Sequence, residues 1–313
     1  MTDTIRIGTR SSRLALWQSN YIADCLREHY PKADVQLVEF TTKGDKILDK
    51  SLPSIGGKGL FTEELETALV AGDIDCAVHS LKDLPTQNPA GLTIGAVPER
   101  APVEDVLVSK HGLSLMDLPK NAKVGTSSLR RAAQIHHVRP DIEIIDIRGN
   151  VPTRIQKALD PAGDYDAIVL ARAGVERLDM TEHITEILTL DTMLPAPGQG
   201  AIGVQSREDN EALFAPLTDL GTLLTVTAER TFLQRLQGGC SVPIAAFATY
   251  KDNTLTLTGR VASVDGTQWI EVSNEATALA HTKPFIVAEE VGRYAAVEAL
   301  EKGAKAILDE VKA

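Results

Sequence analysis

Along the first third of the chain, the spacing of hydrophobic positions switches between the strand period of about 2 residues and the helix period of about 3.6 residues. This pattern predicts the order β-α-β-α-β. Runs that alternate apolar and polar residues predict strands at Ile5–Gly8 and Val35–Thr42, and the apolar run Ile74–Ser80 predicts a buried strand. Helical spacing predicts one helix that Ser11 or Ser12 can cap and another that ends at Gly72. The apolar stripe of the first helix comprises Leu14, Trp17, Tyr21, Ile22 and Cys25.

The same alternation recurs in the middle of the chain. The predicted strands there are Lys123–Gly125, Ile142–Ile147 and Ala167–Ala171, and the predicted helices begin near Ser128, Val151 and Ala173. Short turns between strand and helix indicate helical crossovers, and helical crossovers join parallel strands. The pattern therefore predicts two α/β lobes with a boundary near Arg100–Pro102, and we expect the strand-like run Ala201–Ser206 to return the chain to the first lobe.

The last third of the chain has a different pattern, which predicts a small α+β domain. A helix ends at Gly238, and three strands separated by turn signals follow it. These strands are Val242–Tyr250, Thr254–Ser263 and Gln268–Val272, and one long helix, Pro284–Val311, closes the domain. The predicted domains are residues 1–99 with 198–217 for the first lobe, 100–197 for the second and 218–313 for the third.

Composition and charge narrow the classes of function. The chain has 313 residues, 43% of them hydrophobic, and a formal net charge of -11, which disfavours nucleic acid and anionic membranes as partners. It has neither the start of a secretion signal nor an apolar run long enough to span a bilayer, so we expect a soluble cytoplasmic protein. Its three cysteines lack CxxC spacing and its seven histidines are scattered, so we expect neither disulfides nor a metal site.

Glycine motifs do not indicate a nucleotide site. Gly198–Gly203 matches the dinucleotide-binding pattern G-x-G-x-x-G, but a proline-rich loop precedes it and a strand-like run follows it. The pattern binds a pyrophosphate only where it follows a strand and opens a helix. These glycines are therefore interpreted as turn or hinge residues.

Several arginines lie where helices begin. Arg130 and Arg131 fall in the first turn of one predicted helix, Arg154 falls in the first turn of the next, and Arg148 and Arg10 follow strands. Cations at a helix N-terminus oppose the helix dipole by about 0.3 to 1 kcal/mol each, so we expect a bound anion to compensate. The hydroxyls that could help to hold this anion are those of Thr126, Ser127 and Ser128. Because open α/β sheets bind ligands at the carboxyl ends of their strands, these residues predict a cleft for a ligand with several carboxylates or phosphates.

Two further residues have candidate chemistry. Asp83 follows Lys82 just after a buried strand, and beside an anion site it is a candidate general acid or cation stabiliser. Cys240 lies between Gly238 and Gly239 on one side and Pro243 on the other, in a turn. A thiol in a turn can act as a nucleophile or as a point of covalent attachment.

These motifs resemble the porphobilinogen deaminase family, also called the hydroxymethylbilane synthases. The matching runs include "IGTRSSRLALWQ", "AVHSLKDLPT", "VGTSSLRRAAQ", "DIRGNVPTRIQK", "LPAPGQGAIGVQSR" and "VTAERTFLQRLQGGCSVPI". The resemblance extends in family order from Ile7 to Ile244. It implies two lobes similar to periplasmic binding proteins with a cleft between them, and a third domain that presents the cysteine.

The resemblance also implies an activity and a cofactor. Four porphobilinogen molecules are joined head to tail with loss of ammonia, and a dipyrromethane cofactor bound through a thioether to Cys240 primes the reaction. Asp83 matches the catalytic aspartate of the family. The implied cofactor-binding residues are Cys240, Lys82, Asp83, Thr126, Ser127, Arg130, Arg131 and Arg148, and the implied substrate-binding residues are Arg10, Ser12, Arg148, Arg154, Arg177 and Gln199. The family suggests a monomer.

Two positions depart from the family pattern. Ser54 stands where many members have a lysine near the loop Gly56–Gly59, and Gln205 stands where an acidic residue is common. The first departure leaves one cation fewer near that loop, so the resemblance does not carry over how the loop is ordered or gated.

Two other classes of function are consistent with part of the pattern. A non-catalytic two-lobed protein that binds a polycarboxylate ligand would explain the arginines but not Cys240. A thiol enzyme of unrelated chemistry would explain Cys240, but no histidine is placed as its base. A chromophoric adduct on the purified protein would distinguish these alternatives.

Overall fold

The computed structural model describes residues 4–46, 62–238, 242–278 and 283–312. The chain divides into two compact units: the described residues of unit 1 are 4–46, 62–101 and 200–223, and those of unit 2 are 102–199, 224–238, 242–278 and 283–312. The second and third predicted domains thus fall in one unit. The division into three domains stays a prediction.

The described strands belong to three sheets. In chain order they are β1 Thr4–Arg10, β2 Asp34–Phe40, β3 Cys76–Ser80, β4 Leu92–Ala96, β5 Asp105–Ser109, β6 Lys123–Gly125, β7 Glu143–Ile145, β8 Ala167–Ala171, β9 Glu186–Ile187, β10 Ile202–Arg207, β11 Ile244–Lys251, β12 Thr254–Ala262 and β13 Trp269–Thr277. The described helices are α1 Arg13–His29, α2 Lys43–Lys46, α3 Glu63–Ala71, α4 Leu129–Val138, α5 Val151–Leu159, α6 Arg172–Glu176, α7 Glu211–Phe214, α8 Leu220–Arg235, α9 Pro284–Glu301 and α10 Ala304–Lys312. None of these helices combines the length and the apolar character needed to cross a membrane.

Unit 1 is built around a five-stranded sheet in the order β2-β1-β3-β10-β4. Strand β1 pairs in parallel with β2 and β3, as helical crossovers require, which confirms the predicted β-α-β-α-β run. The predicted return of the chain is also confirmed, since β10 enters this sheet between β3 and β4. It pairs antiparallel with both of them, so the sheet is mixed.

Helix α1 buries a different stripe from the predicted one. Ser12 caps its N-terminus by accepting a hydrogen bond from the Ala15 amide at 3.3 Å, as local sequence indicates. The buried residues are Ala15, Gln18, Ser19, Ile22, Ala23 and Leu26, so of the predicted stripe only Ile22 is buried. Trp17 is 38% exposed and stacks on Tyr21. The prediction was wrong because the face that packs on the sheet combines Ile22 and Leu26 with small and polar residues, whereas the bulky Trp17 lies outside it.

Unit 2 contains a second mixed sheet in the order β7-β6-β8-β5-β9 and a three-stranded antiparallel sheet in the order β11-β12-β13. Strand β6 is parallel to β7 and β8, as predicted, whereas β5 is antiparallel to β8 and β9.

The prediction of a single C-terminal helix was wrong, because the structure has two helices there. Helix α9 ends at Glu301, and α10 starts after Gly303. Gly303 has a φ of 100°, a left-handed conformation that ends a helix.

Polar and aromatic contacts join the two sheets of unit 2. His136 and His137 of α4 each have Nδ1 3.0 Å from a backbone carbonyl of the turn after β12. The His137 ring stacks on Trp269 at a centroid distance of 4.0 Å, and Arg260 donates to Gln134 at 2.9 Å. These contacts explain why residues 102–199 and 224–312 form one unit.

Candidate active site

A pocket in unit 1 lies at the carboxyl edge of the sheet. Because β1 and β3 are parallel neighbours, Arg10 at the end of β1 and Ser80 at the end of β3 reach the same edge. The pocket has a volume of about 80 Å³. Its polar lining includes Arg10, Ser12, Thr62, His79, Ser80 and Asp83. Three predicted site residues, Arg10, Ser12 and Asp83, are thus brought together.

Asp83 lies on a single 3-10 turn, Leu81–Asp83, directly after β3. The turn is fixed by Leu81, which is fully buried and whose amide donates to the Ala201 carbonyl at 3.0 Å. Lys82 is half-buried, and the Asp83 side chain is exposed in the pocket. A carboxylate held on a rigid turn at a pocket wall can stabilise a positive charge that develops on a bound ligand.

His79 and Thr62 in the same pocket were missed as candidate ligand-binding residues. No sequence motif singled out His79 or Thr62, and the structure shows His79 and Cys76 both buried. The pKa of His79 is lowered to about 4, chiefly by burial; a side-chain hydrogen bond with Gln205 opposes this shift and the charge of Arg10 adds to it. Burial raises the pKa of the Cys76 thiol, which excludes Cys76 as a thiolate nucleophile at neutral pH.

A second cluster, in unit 2, contains two of the predicted arginines. Arg130 and Arg131 lie in the first turn of α4, and their guanidinium groups both contact Asp105. Arg130 Nη1 is 2.7 Å from Asp105 Oδ2, and Arg131 Nη2 is 2.7 Å from Oδ1. The side chain of Asp105 is fully buried and those of the two arginines are at least nine-tenths buried. Sequence reasoning missed Asp105, although an acid that opens the apolar run of β5 was a usable signal.

The electrostatics of this cluster leave a positive charge. Burial by itself would raise the pKa of Asp105, but the charges and hydrogen bonds of Arg130 and Arg131 hold it well below its usual range. One carboxylate balances only one of the two guanidinium groups. The remaining charge is partly met by the carbonyls of Leu194 and Val169, which accept from Arg130 at 2.7 Å and from Arg131 at 3.0 Å.

Gln199 joins the same cluster. Its side chain is fully buried, and Nε2 donates to the Val103 carbonyl at 2.7 Å and to Asp105 Oδ1 at 3.0 Å. Gln199, the last residue of unit 2 before the chain enters unit 1, is therefore hydrogen-bonded to the start of β5.

The three predicted hydroxyl ligands have protein partners. Ser128 caps α4 by accepting a hydrogen bond from the Arg131 amide at 3.5 Å. Ser127 Oγ donates to the Ile147 carbonyl at 2.7 Å, and Thr126 Oγ1 accepts from the Ser128 amide at 3.2 Å. These bonds order the turn between β6 and α4, where the two side chains lie at the carboxyl end of β6. Their role toward a ligand stays a prediction.

The remaining predicted arginines are half-buried on unit 2. Arg148 precedes α5, Arg154 lies in its first turn and donates from Nε to the Gly149 carbonyl at 2.8 Å, and Arg177 follows α6. Asn150 caps α5 by accepting from the Thr153 amide at 3.0 Å. Strands β7 and β8 precede α5 and α6, and both are parallel to β6, so these arginines share one edge of the sheet with Thr126.

Two predicted features lie outside the described residues. These are Cys240 with its neighbour Gly239, and the loop that contains Ser54 and Gly56–Gly59. Their predicted roles stay predictions.

Two models of one protein family match most of the chain. The model "Porphobilinogen deaminase, dipyromethane cofactor binding domain" matches residues 5–215, and the model "Porphobilinogen deaminase, C-terminal domain" matches residues 223–301.

Similar proteins agree with these models. The porphobilinogen deaminase of Syntrophotalea carbinolica is 48% identical over 310 residues, which cover 98% of this chain and 96% of that protein. The porphobilinogen deaminase of Chlorobium phaeovibrioides is 48% identical over 315 residues, which cover 100% and 99%. Among solved structures, the aliphatic sulphonate binding protein SsuA from Escherichia coli covers 76% of this chain and 71% of its own, at 17% identity and a TM-score of 0.39.

Proposed function

Because this chain belongs to the porphobilinogen deaminase family, we propose a role for each of its two polar clusters in the reaction of that family. The reaction joins four porphobilinogen molecules head to tail and releases ammonia at each addition. One water molecule then hydrolyses the bond to the cofactor and releases the linear tetrapyrrole hydroxymethylbilane. A dipyrromethane cofactor primes the chain. The family match supports this enzyme over a non-catalytic polycarboxylate-binding protein.

The cluster of unit 2 would hold the cofactor. Two buried guanidinium groups face one carboxylate, and this excess of positive charge fits a group that has several carboxylates. The proposed cofactor-binding residues are Cys240, Lys82, Asp83, Thr126, Ser127, Arg130, Arg131 and Arg148. When bound, the cofactor supplies the pyrrole carbon to which the first substrate is added.

Asp83 is the proposed catalytic residue. Loss of ammonia from porphobilinogen leaves a cation delocalised over the pyrrole ring, and a nearby carboxylate stabilises charge that forms only in the transition state. The observation that supports this role is the exposed carboxylate on a fixed turn in a pocket that also contains Arg10 and Ser12. Substrate carboxylates would be bound by Arg10, Ser12, Arg148, Arg154, Arg177 and Gln199.

Further proposals concern the oligomeric state, cellular location, partners and domain division of the protein. We propose, on the family basis, a monomer in the cytoplasm. The net charge of -11 supports the proposal that neither nucleic acid nor an anionic membrane is a partner. The division into two lobes and a third domain that carries Cys240 is proposed on the same family basis.

One experiment tests the chemistry of both Cys240 and Asp83. Intact-protein and peptide mass spectrometry should show an increment of two pyrroles on the Cys240 peptide and none on Cys25 or Cys76. The adduct-bearing Asp83→Asn variant should remain folded and lose turnover by roughly 10² to 10⁴, because the substitution keeps the shape and deletes the charge.

Asp73→Asn removes an exposed carboxylate elsewhere on unit 1 and should retain wild-type turnover. An unmodified but fully active enzyme would refute the attachment. Turnover of adduct-bearing Asp83→Asn within a few-fold of wild type would show that Asp83 only forms a turn.

A further inference from the structure

The turn between β7 and α5, residues 146–150, is held by side chains from outside it. Four consecutive backbone carbonyls of this turn each accept a hydrogen bond from a different side chain. The pairs are Asp146 with Tyr165 Oη at 2.9 Å, Ile147 with Ser127 Oγ at 2.7 Å, Arg148 with Lys157 Nζ at 3.0 Å and Gly149 with Arg154 Nε at 2.8 Å. The peptide groups on both sides of Arg148 are therefore fixed.

Tyr165 reaches this turn across the end of β6. A Cβ at Gly125, the last residue of β6, would lie 2.8 Å from the Tyr165 ring, so only glycine leaves room for the ring there. Burial raises the pKa of Tyr165, the charges of Asp146 and Asp164 raise it further, and the charge of Arg154 lowers it. The phenol therefore stays protonated at neutral pH and donates to the Asp146 carbonyl.

Solvation of the carbonyls does not require these donors. The bonds from Tyr165 and Lys157 both lie at the surface, where a carbonyl can accept a hydrogen bond from water instead. A lysine also loses rotamer freedom when its ammonium is held in one place. What the two donors add is a fixed geometry for the turn.

Arg148 lies in the middle of this fixed turn. It is half-buried, and it follows β7 at the edge of the sheet that also contains Thr126. The backbone of a residue sets the direction in which its side chain leaves, and a guanidinium group binds a carboxylate best in a defined, two-pronged geometry. A displacement of about 1 Å at a binding group can reduce catalysis by roughly 10²-fold.

We propose that Tyr165 and Lys157 are positioning residues, which hold the backbone on both sides of Arg148 so that its guanidinium group meets a ligand carboxylate in the productive orientation. The inference rests on the proposed function, in which Arg148 binds carboxylates of porphobilinogen or of the cofactor. The two sources share the same chemistry. Tyr165 and Lys157 act through Arg148 and need no contact with the ligand.

The test uses substitutions that remove one donor each. Tyr165→Phe deletes only the hydroxyl, and Lys157→Met deletes the ammonium group and keeps most of the stem. Lys157→Arg keeps a cationic donor and serves as the rescue variant. Arg148→Lys keeps the charge but not the planar fork, and it shows which measured quantity depends on Arg148.

The chain offers a matched control for each kind of bond. Tyr30→Phe removes a phenol that donates to the Leu213 carbonyl in unit 1, also at 2.9 Å. Lys302→Met removes an ammonium group that donates to the Glu271 carbonyl at 3.2 Å. Neither of these bonds involves the turn 146–150.

Two quantities are measured for each variant. Intact mass gives the fraction of chains that have the two-pyrrole increment, and steady-state kinetics with porphobilinogen give KM and kcat of the loaded chains. If Arg148 holds a substrate carboxylate, Arg148→Lys should raise KM. If it holds a cofactor carboxylate, the loaded fraction should fall instead.

Tyr165→Phe should change the same quantity as Arg148→Lys, in the same direction, by about 3- to 10-fold. Lys157→Met should change it by about 2- to 5-fold, and kcat of the loaded chains should stay similar in both variants. Lys157→Arg, Tyr30→Phe and Lys302→Met should leave KM and the loaded fraction near those of wild type.

Wild-type KM and loading in either Tyr165→Phe or Lys157→Met would overturn the inference, even with a lower thermal midpoint, because the bond would then only stabilise the fold. Equal effects of the two control variants would overturn it too, as would wild-type values for Arg148→Lys. Failure of the proposed function is a different result: the wild-type protein would then have neither the increment nor activity with porphobilinogen.

Discussion

Replacement of Asp105 by asparagine should strongly destabilise unit 2. The substitution keeps the size of the side chain but removes the carboxylate that pairs with Arg130 and Arg131 at 2.7 Å. Two guanidinium groups would then lie close together in a buried position without an anion. Asparagine can still accept a hydrogen bond, but it cannot offset their mutual repulsion.

The magnitude of the destabilisation follows from the burial of the three charged side chains. Removal of one partner from a buried ion pair costs about 3 to 5 kcal/mol, because the remaining charge is left without compensation. The Asp105 side chain is fully buried and those of Arg130 and Arg131 are 5% and 8% exposed, so solvent screens the pairs weakly. With a urea dependence of about 3 kcal/mol per molar, the midpoint of unfolding should fall by roughly 1 to 1.7 M.

Urea unfolding can be followed specifically in unit 2. The chain has two tryptophans, so a Trp17→Phe background leaves Trp269 as the single reporter, and Trp269 lies in unit 2 against His137. Asp309→Asn is the control, because it removes an exposed carboxylate from a surface pair with Lys305. Exposed pairs contribute only about 0 to 1 kcal/mol.

The stabilisation by Asp105 should also depend on pH. The pKa of Asp105 is lower in the folded than in the unfolded chain, so its stabilisation is full above the unfolded pKa of about 4 and is lost as the pH falls through the folded pKa. The difference between wild type and Asp105→Asn should therefore shrink below pH 4. A loss under about 1 kcal/mol at pH 7 would refute the reasoning, since the cluster would then behave as solvated charges.

Two other predictions follow from buried positions. His79 has a pKa lowered to about 4, so the unfolded chain binds more protons between about pH 6.5 and 4; unit 1 should lose about 3 kcal/mol as the pH falls across that window, and His79→Gln should remove this dependence in pH-dependent urea unfolding. Gly292→Ala should cost about 1 to 3 kcal/mol, because its Cβ would meet the Ala228 carbonyl oxygen. In the same urea assay Gly221→Ala should be tolerated, since its Cβ would meet nothing closer than 3.5 Å, and equal midpoints for the two glycine variants would contradict the packing argument.

Local patterns were sufficient to predict many of the elements that carry the site. Strands β6 and β8 have the predicted bounds, and Val151 begins α5 as predicted. Such features depend on residues within a few positions of one another, and so a single sequence records them. The helix break at Gly303 also has a local signal, because glycine commonly ends helices. This signal was missed because the apolar periodicity continues on both sides of Gly303.

Contacts between segments that are distant in sequence decide which site residues lie together. Asp105 and Arg131 are 26 positions apart, and Gln199 reaches Asp105 across 94 positions. Likewise, the buried face of α1 depends on the sheet that covers it rather than on the size of its own side chains.

By itself, the sequence determined the family, the order of strands and helices and the placement of arginines and Asp83 after strands, because helix and strand periods and turn residues act locally. Only the tertiary structure decided that Arg130 and Arg131 share a buried carboxylate and that Thr62 joins His79 in one pocket. Pairing and burial depend on which side chains the completed sheets bring together, and no local period along the chain encodes that.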